Sequence, residues 1–83
     1  MIHEIRMTID DAEYRNIKVQ EWEVDEGVIV EQGDDLLHLE TDDESVLTIK
    51  SPVSGVIKQI FIEEGQIVQP GDLLSIIEEM EVY

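Results

Sequence analysis

Residues 24–40 read VDEGVIVEQGDDLLHLE, and residues 62–78 read IEEGQIVQPGDLLSIIE. The two stretches align without a gap at a constant offset of 38, Gly27 on Gly65 and Gly33 on Gly71. Glu26, Ile29, Val30, Asp34, Leu36 and Glu40 recur as Glu64, Ile67, Val68, Asp72, Leu74 and Glu78. A repeat of this length in so short a chain predicts two similar sheet-forming halves related by a pseudo-two-fold axis, each covering the other's apolar face. Glycine marks the reversals. Glu26-Gly27 and Glu64-Gly65 place it where a strand must turn back, at positive φ. Pro70-Gly71 has the central pair of a type II turn, and Gln32-Gly33 keeps the glycine that this turn needs most. No Gly-x-Gly-x-x-Gly pattern leads into a helix, so these glycines are structural and not a phosphate loop.

Outside the repeat the apolar residues follow the period of strands. Ile5, Met7 and Ile9 alternate with Arg6 and Thr8, as a half-buried strand requires. Val19, Trp22 and Val24 are matched at the same offset by Ile57, Ile60 and Ile62, and both sets shift phase once, which predicts a bulge in each half. Strands are expected near 5–9, 17–24, 28–30, 36–40, 45–49, 55–62, 66–68 and 73–78, with no amphipathic helix. Setting Ile9 against Ile49, 40 positions on, makes the loop at 10–16 about two residues longer than its counterpart. The chain reads as all-β. Its 83 residues form one domain, 1–83, with half-repeats at about 5–40 and 45–78.

Composition narrows the function classes. An apolar fraction of 42% supports a packed core, and the lack of cysteine excludes disulfides and thiolate metal sites. Twenty-one acidic residues against five basic ones give a formal charge of −16. Phosphate backbones and anionic lipid are excluded as partners, because both are held by cationic side chains. Three readings of the acidity stay open: a solvated, self-repelling surface, a docking face for a basic partner, and a cell with high internal salt. Crowded carboxylates repel over a Debye length of about 8 Å at physiological salt, so the melting temperature is expected to rise from low to moderate salt. A flat response in calorimetry would show that the acids are already paired or well separated. Met1 leads directly into IHEIRMTI, without a basic region and long apolar run, and no apolar stretch approaches the roughly 20 residues of a membrane helix. The cytoplasm is the expected location, and a monomer is expected over a dimer.

The ordered motifs Glu-Trp at 21–22, Glu-Gly at 26–27, Gly-Asp at 33–34, Glu-Thr-Asp at 40–42, Ser-Pro-x-x-Gly at 51–55, Glu-Gly at 64–65 and Pro-Gly-Asp at 70–72 resemble the biotinyl/lipoyl attachment domains over nearly the whole chain. Those domains are carriers in 2-oxoacid dehydrogenase complexes, and a related form serves biotin-dependent carboxylases. The resemblance implies a flattened β-barrel or sandwich of two four-stranded antiparallel sheets with pseudo-two-fold symmetry, and a modified lysine at the tip of a hairpin. Glu40, Thr41 and Asp42 match the residues that precede the lysine in the lipoyl type, and the methionine-flanked motif of the biotin type is not present.

At the attachment position itself the chain departs from the family. The lysine position is Asp43, and the small residue that usually follows it is Glu44. No lysine lies between Lys18 and Lys50; Lys50 falls before Ser51-Pro52 at the far end of the next strand, and Lys58 sits inside a strand. Attachment needs an amine that takes an acyl group from an adenylate to form an amide, which a carboxylate cannot do. No cofactor is therefore expected, and lipoate enters by family analogy only through an unusual acceptor such as Lys50.

Other chemistry finds weaker support. The tip acids Glu40, Asp42, Asp43 and Glu44, with Asp34 and Asp35, are of the type that hard cations favour, yet the spaced Asp-x-Asp-x-Asp-Gly loop with its later glutamate is not there. A hydrated acidic tip is the reading adopted, and no metal is expected. His3 and His38 are isolated, and His38 points away from Leu37 and Leu39. Ser45, Ser51, Ser54 and Ser75 lie in no nucleophile–base–acid pattern, so catalysis by this chain is not expected. Trp22 reads as core packing. The expected role is that of an unmodified carrier-fold module that binds protein partners, among them lipoate-handling enzymes or 2-oxoacid dehydrogenase components. The alternative is a working acyl-group carrier of a multienzyme complex. Ranked last is the lipoyl-like module of membrane-fusion adaptors, which carry a long helical hairpin where residues 41–44 here close directly.

Overall fold

The computed structural model of the chain describes residues 1–7 and 16–80. Its strands are β1 (Ile2–Arg6), β2 (Ile17–Trp22), β3 (Ile29–Val30), β4 (Asp35–Glu40), β5 (Val46–Lys50), β6 (Gly55–Ile60), β7 (Ile67–Val68) and β8 (Leu73–Glu79). They form two four-stranded sheets, in the orders β1-β8-β6-β3 and β5-β4-β2-β7. Every neighbouring pair is antiparallel. The first strand begins three residues earlier than its alternation indicated, and Thr8, Ile9 and the loop residues 10–15 lie outside the described residues.

The core fills the space between the sheets. Leu36, Leu37, Leu39, Ile57, Leu74 and Ile77 are fully buried there, with Met7, Val19, Val30 and Val68 beside them. Each such side chain contributes about 1.5–3 kcal/mol by leaving water. His38 sits between buried Leu37 and Leu39 yet faces outward, its Nδ1 3.0 Å from Thr48 Oγ1 and its Nε2 3.2 Å from Glu23. Trp22 packs half-buried against the core and donates its indole N–H to the Ile62 carbonyl at 2.8 Å.

The repeat is present in the fold, but its halves do not form separate sheets. β1 and β3 of the first half share a sheet with β6 and β8 of the second, while β2 and β4 share the other with β5 and β7. The expectation that each half covers the other as a unit is corrected to an exchange of strands. An edge strand satisfies its backbone groups on any antiparallel neighbour, and two-residue strands such as β3 and β7 are too short to build a sheet within one half.

Register corrects a second expectation. Ile5 pairs with Ser75 as Ile49 pairs with Leu37, and Arg6 with Leu73 as Lys50 with Asp35, so the first strands of the halves differ by 44 positions and not 40. Ile5, not Ile9, is the counterpart of Ile49. Since 7 to 17 spans ten positions and 51 to 55 spans four, the first loop is six residues longer than its mate. A slip of four residues keeps every side chain on its face, so alternation alone could not detect it.

The bulges and turns fall at symmetry-related sites. Pairing shifts between Val19 and Glu21 and again between Ile57 and Gln59, as the phase change predicted. The amide of Gly27 donates to Ile57 O at 2.7 Å, and that of Gly65 to Val19 O at 2.8 Å, so each turn locks onto the other half's bulged strand. Asp72 N reaches Gln69 O at 3.0 Å around Pro70-Gly71, with Gly71 at φ +90°, as a type II turn requires. The counterpart turn closes from Asp34 N to Glu31 O, also at 3.0 Å.

Candidate functional site: the acidic hairpin tip

The β4–β5 hairpin carries residues 41–45 at its tip. At its base Ser51 N donates to Asp34 O at 2.8 Å, and Ser54 receives Gln32 N on Oγ while its carbonyl receives Met80 N. Met80 therefore lies at the base of the hairpin. Six strand residues, about 20 Å, separate that end from the tip, within a molecule 43 Å long and 20 Å across.

Glu44 N donates to Thr41 O at 3.1 Å, making Asp42 and Asp43 the central pair of the turn, and Thr41 N closes onto Ser45 O at 2.9 Å. Thr41 is buried, and its Oγ1 accepts the Ser45 N–H at 3.1 Å. Leaving the turn, Glu44 takes φ +67°, the left-handed region that a side chain resists by about 1–2 kcal/mol. Glu44→Gly is expected to raise stability by about 0.5–1 kcal/mol, since glycine carries no such strain but orders more backbone. Thermal melts check this; a lower melting temperature would mean that the Glu44 side chain contributes something the backbone strain conceals.

The Asp43 carboxylate is exposed but hydrogen-bonded back onto its own turn. Its Oδ1 accepts a hydrogen bond from Thr41 Oγ1 and another from Ser45 N at 3.1 Å, folding it over the turn. The bond from Thr41, then that from Ser45, holds its pKa below the ordinary aspartate value of 3.8. Asp43 is thus a carboxylate at any neutral pH. Asp35, at the hairpin base, is lowered in the same direction by its hydrogen bond from Lys50.

Each lysine now has a place. Lys50 Nζ lies 2.6 Å from Asp35 Oδ1, at the end of β5 far from the tip. Lys58 is exposed at the bulge of β6, in the other sheet. Lys18 is the one that sequence reasoning passed over. It pairs with Glu40 across β2 and β4 and, with Asn16, Ile67, Thr41, Asp42 and Glu44, lines a cleft of about 430 Å³ beside the tip. The only signal for this was strand pairing, which no local pattern encodes. Among the described residues no three His, Cys, Asp or Glu side chains converge as a metal ion requires. Residues 41–45 offer two carboxylates at the turn centre and no amine, so they do not fit a prosthetic group held by an amide.

Comparison with known proteins places this geometry in context. The model of the family described as "Biotin-requiring enzyme" matches residues 4–77. The dihydrolipoyllysine-residue acetyltransferase component of the pyruvate dehydrogenase complex from Staphylococcus aureus (strain Mu50) is 36% identical over 57 residues, covering 69% of this chain and 13% of that protein. Its Staphylococcus epidermidis namesake is 33% identical over the same coverage. The chain thus spans about an eighth of the length of these relatives. The lipoyl domain of the 2-oxoglutarate dehydrogenase complex from Azotobacter vinelandii superposes with a TM-score of 0.75 at 26% identity, covering 92% of this chain and 95% of that one. A single-chain, multi-domain long-chain acyl-CoA carboxylase contains the same fold, with a TM-score of 0.80 at 20% identity over 98% of this chain and 7% of its own. With the repeat, the two exchanged sheets and a family match over nearly its whole length, the chain belongs to the biotinyl/lipoyl attachment-domain family.

Proposed function

We propose that this domain works as an unmodified carrier-fold module, binding protein partners through its acidic tip rather than carrying a prosthetic group. The single observation behind the reading is Asp43. A carboxylate stands where the family's hairpin presents lysine, and it is hydrogen-bonded back onto Thr41 and Ser45 instead of extending toward a partner. Enzymes that receive such a tip in an active site meet here a compact negative turn. Basic surfaces on lipoate-handling enzymes or on 2-oxoacid dehydrogenase components are the partners this chemistry fits, engaged without turnover. The cytoplasm suits such partners.

The second reading, a working acyl-group carrier, draws support from relatives whose names specify dihydrolipoyllysine. It requires an acceptor off the turn, and Lys18, beside the tip, is better placed for that than Lys50. Intact-mass measurement of the chain co-expressed with a lipoate ligase and lipoate separates the two. No gain in mass supports the unmodified module. A gain of one lipoyl or octanoyl group overturns it, and peptide mapping then assigns the acceptor.

A further inference from the structure

The two sheets are built alike but do not present alike outer faces. On the sheet containing β1, directly paired residues form a row across all four strands: Ile2 with Glu78, Glu78 with Val56, and Val56 with Ile29. Met80, two positions beyond Glu78, lies on the same side of the chain. Ile2 is 49% exposed, Ile29 64% and Met80 41%.

The symmetry-related row on the other sheet is Val46, Glu40, Lys18 and Ile67. Position for position, Val56 replaces Lys18, Ile76 replaces His38, and Met80 replaces Asp42. That exchange serves as an internal control. The same backbone folds with polar residues at all three sites, so packing does not demand apolar ones there. Val56 and Ile76 are half-buried and Met80 is exposed; the row ends Ile2 and Ile29 have equally exposed counterparts in Val46 and Ile67, so these three sites are what make this face the more apolar, as a contact face is.

We infer that this face is a docking strip for an amphipathic helix of a partner protein, carrying aliphatic side chains around a lysine or arginine. Length and charge select that occupant. The row spans three strand spacings, about 14 Å, which equals about two and a half helical turns. Glu78 stands in the middle of the row, and no cation lies within ion-pair distance of it among the described residues. A helix with apolar residues one turn apart and a cation between them covers Ile2, Val56 and Ile29 and neutralises Glu78. A second copy of the chain is a poor occupant, since it brings the same Glu78 and the same net charge of −16. One helix buries less than the roughly 800 Å² per partner of a stable interface, so binding is weak and fast. This face is independent of how the tip is read.

The test is an amide chemical-shift titration of the whole chain with a helix-forming leucine–lysine peptide of about 18 residues. A leucine–glutamate peptide of the same length serves as control. Shifts are expected at residues 2, 29, 56, 78 and 80, with no binding of the acidic peptide. Val56→Lys, which copies Lys18 onto the second half, is expected to weaken binding about tenfold. Should that variant melt early, Ile29→Lys, at a more exposed site, reads the same effect. Shifts centred on residues 41–44, equal binding by the acidic peptide, or undiminished affinity in a folded variant would overturn the inference.

Discussion

The Asp43→Lys variant is expected to gain one lipoyl or octanoyl group per chain when co-expressed with a lipoate ligase, where the parent chain gains none. The change is all-or-none because it replaces a group that cannot form an amide with one that can. Geometry favours it. Lysine cannot accept the hydrogen bonds that Asp43 takes from Thr41 and Ser45, so its amine is released from the turn into solvent. The turn itself remains closed through Glu44 N to Thr41 O and Thr41 N to Ser45 O, neither of which involves the Asp43 side chain. Glu44 remains as an obstacle, adding a negative charge and a left-handed backbone directly after the acceptor. Modification is therefore expected to be slow in the single variant and faster in Asp43→Lys with Glu44→Gly. Intact mass over time measures both. If neither chain is modified, position 43 does not stand where the family's lysine stands, and the proposed role of the tip fails with it.

Gly55→Ala is expected to cause the largest loss of stability of any single-methyl change in the chain. A Cβ built at Gly55 meets the Glu78 carbonyl oxygen at 2.2 Å and Ile77 Cγ2 at 2.9 Å. The carbonyl is backbone held in the β6–β8 ladder, so the strands must move apart. Overpacking of this kind costs about 3 kcal/mol, equivalent to a melting temperature lower by roughly 12–24 °C in a domain this small. Gly27→Ala provides the comparison. Gly27 sits at φ +88° with nothing within 4 Å of the added carbon, so it incurs backbone strain alone, about 1–2 kcal/mol. Calorimetry of both variants decides the matter: a Gly55→Ala loss no greater than that of Gly27→Ala contradicts the close approach of β6 to β8.

The same comparison shows how far local pattern carries. Gly27, Gly33, Gly65 and Gly71 were legible as turn glycines, and all four have positive φ. Gly55 was legible only as the end of the Ser-Pro-x-x-Gly motif and not as a packing requirement, because its repeat counterpart is Ile17, a buried residue of ordinary size. The need for glycine there arises from β8, more than 20 positions away, and not from any turn. At the tip, sequence located the Glu-Thr-Asp run and the missing amine but not the bonding of the Asp43 carboxylate back onto the turn, which depends on buried Thr41 and on Ser45 across the turn. Lys18 entered the site for a similar reason. A strand neighbour is chosen by pairing, and Lys18 stands 22 positions from Glu40.

Taken alone, the order of residues determined the all-β class, the two-fold repeat, the bulges, the glycine turns and the lack of an amine at the hairpin apex. The repeat is read by setting two segments 38 positions apart side by side, and the others are encoded within a few neighbouring positions, by side-chain period, by φ preference or by functional group. Tertiary structure alone decided that the halves exchange strands, that Ile5 rather than Ile9 answers Ile49, that Gly55 admits no side chain, and that one outer face carries Val56 and Ile76 where its mate carries Lys18 and His38. Those outcomes depend on which backbone groups hydrogen-bond across long loops. An antiparallel ladder accepts any partner whose faces match, so the choice is made by the packing of the whole core.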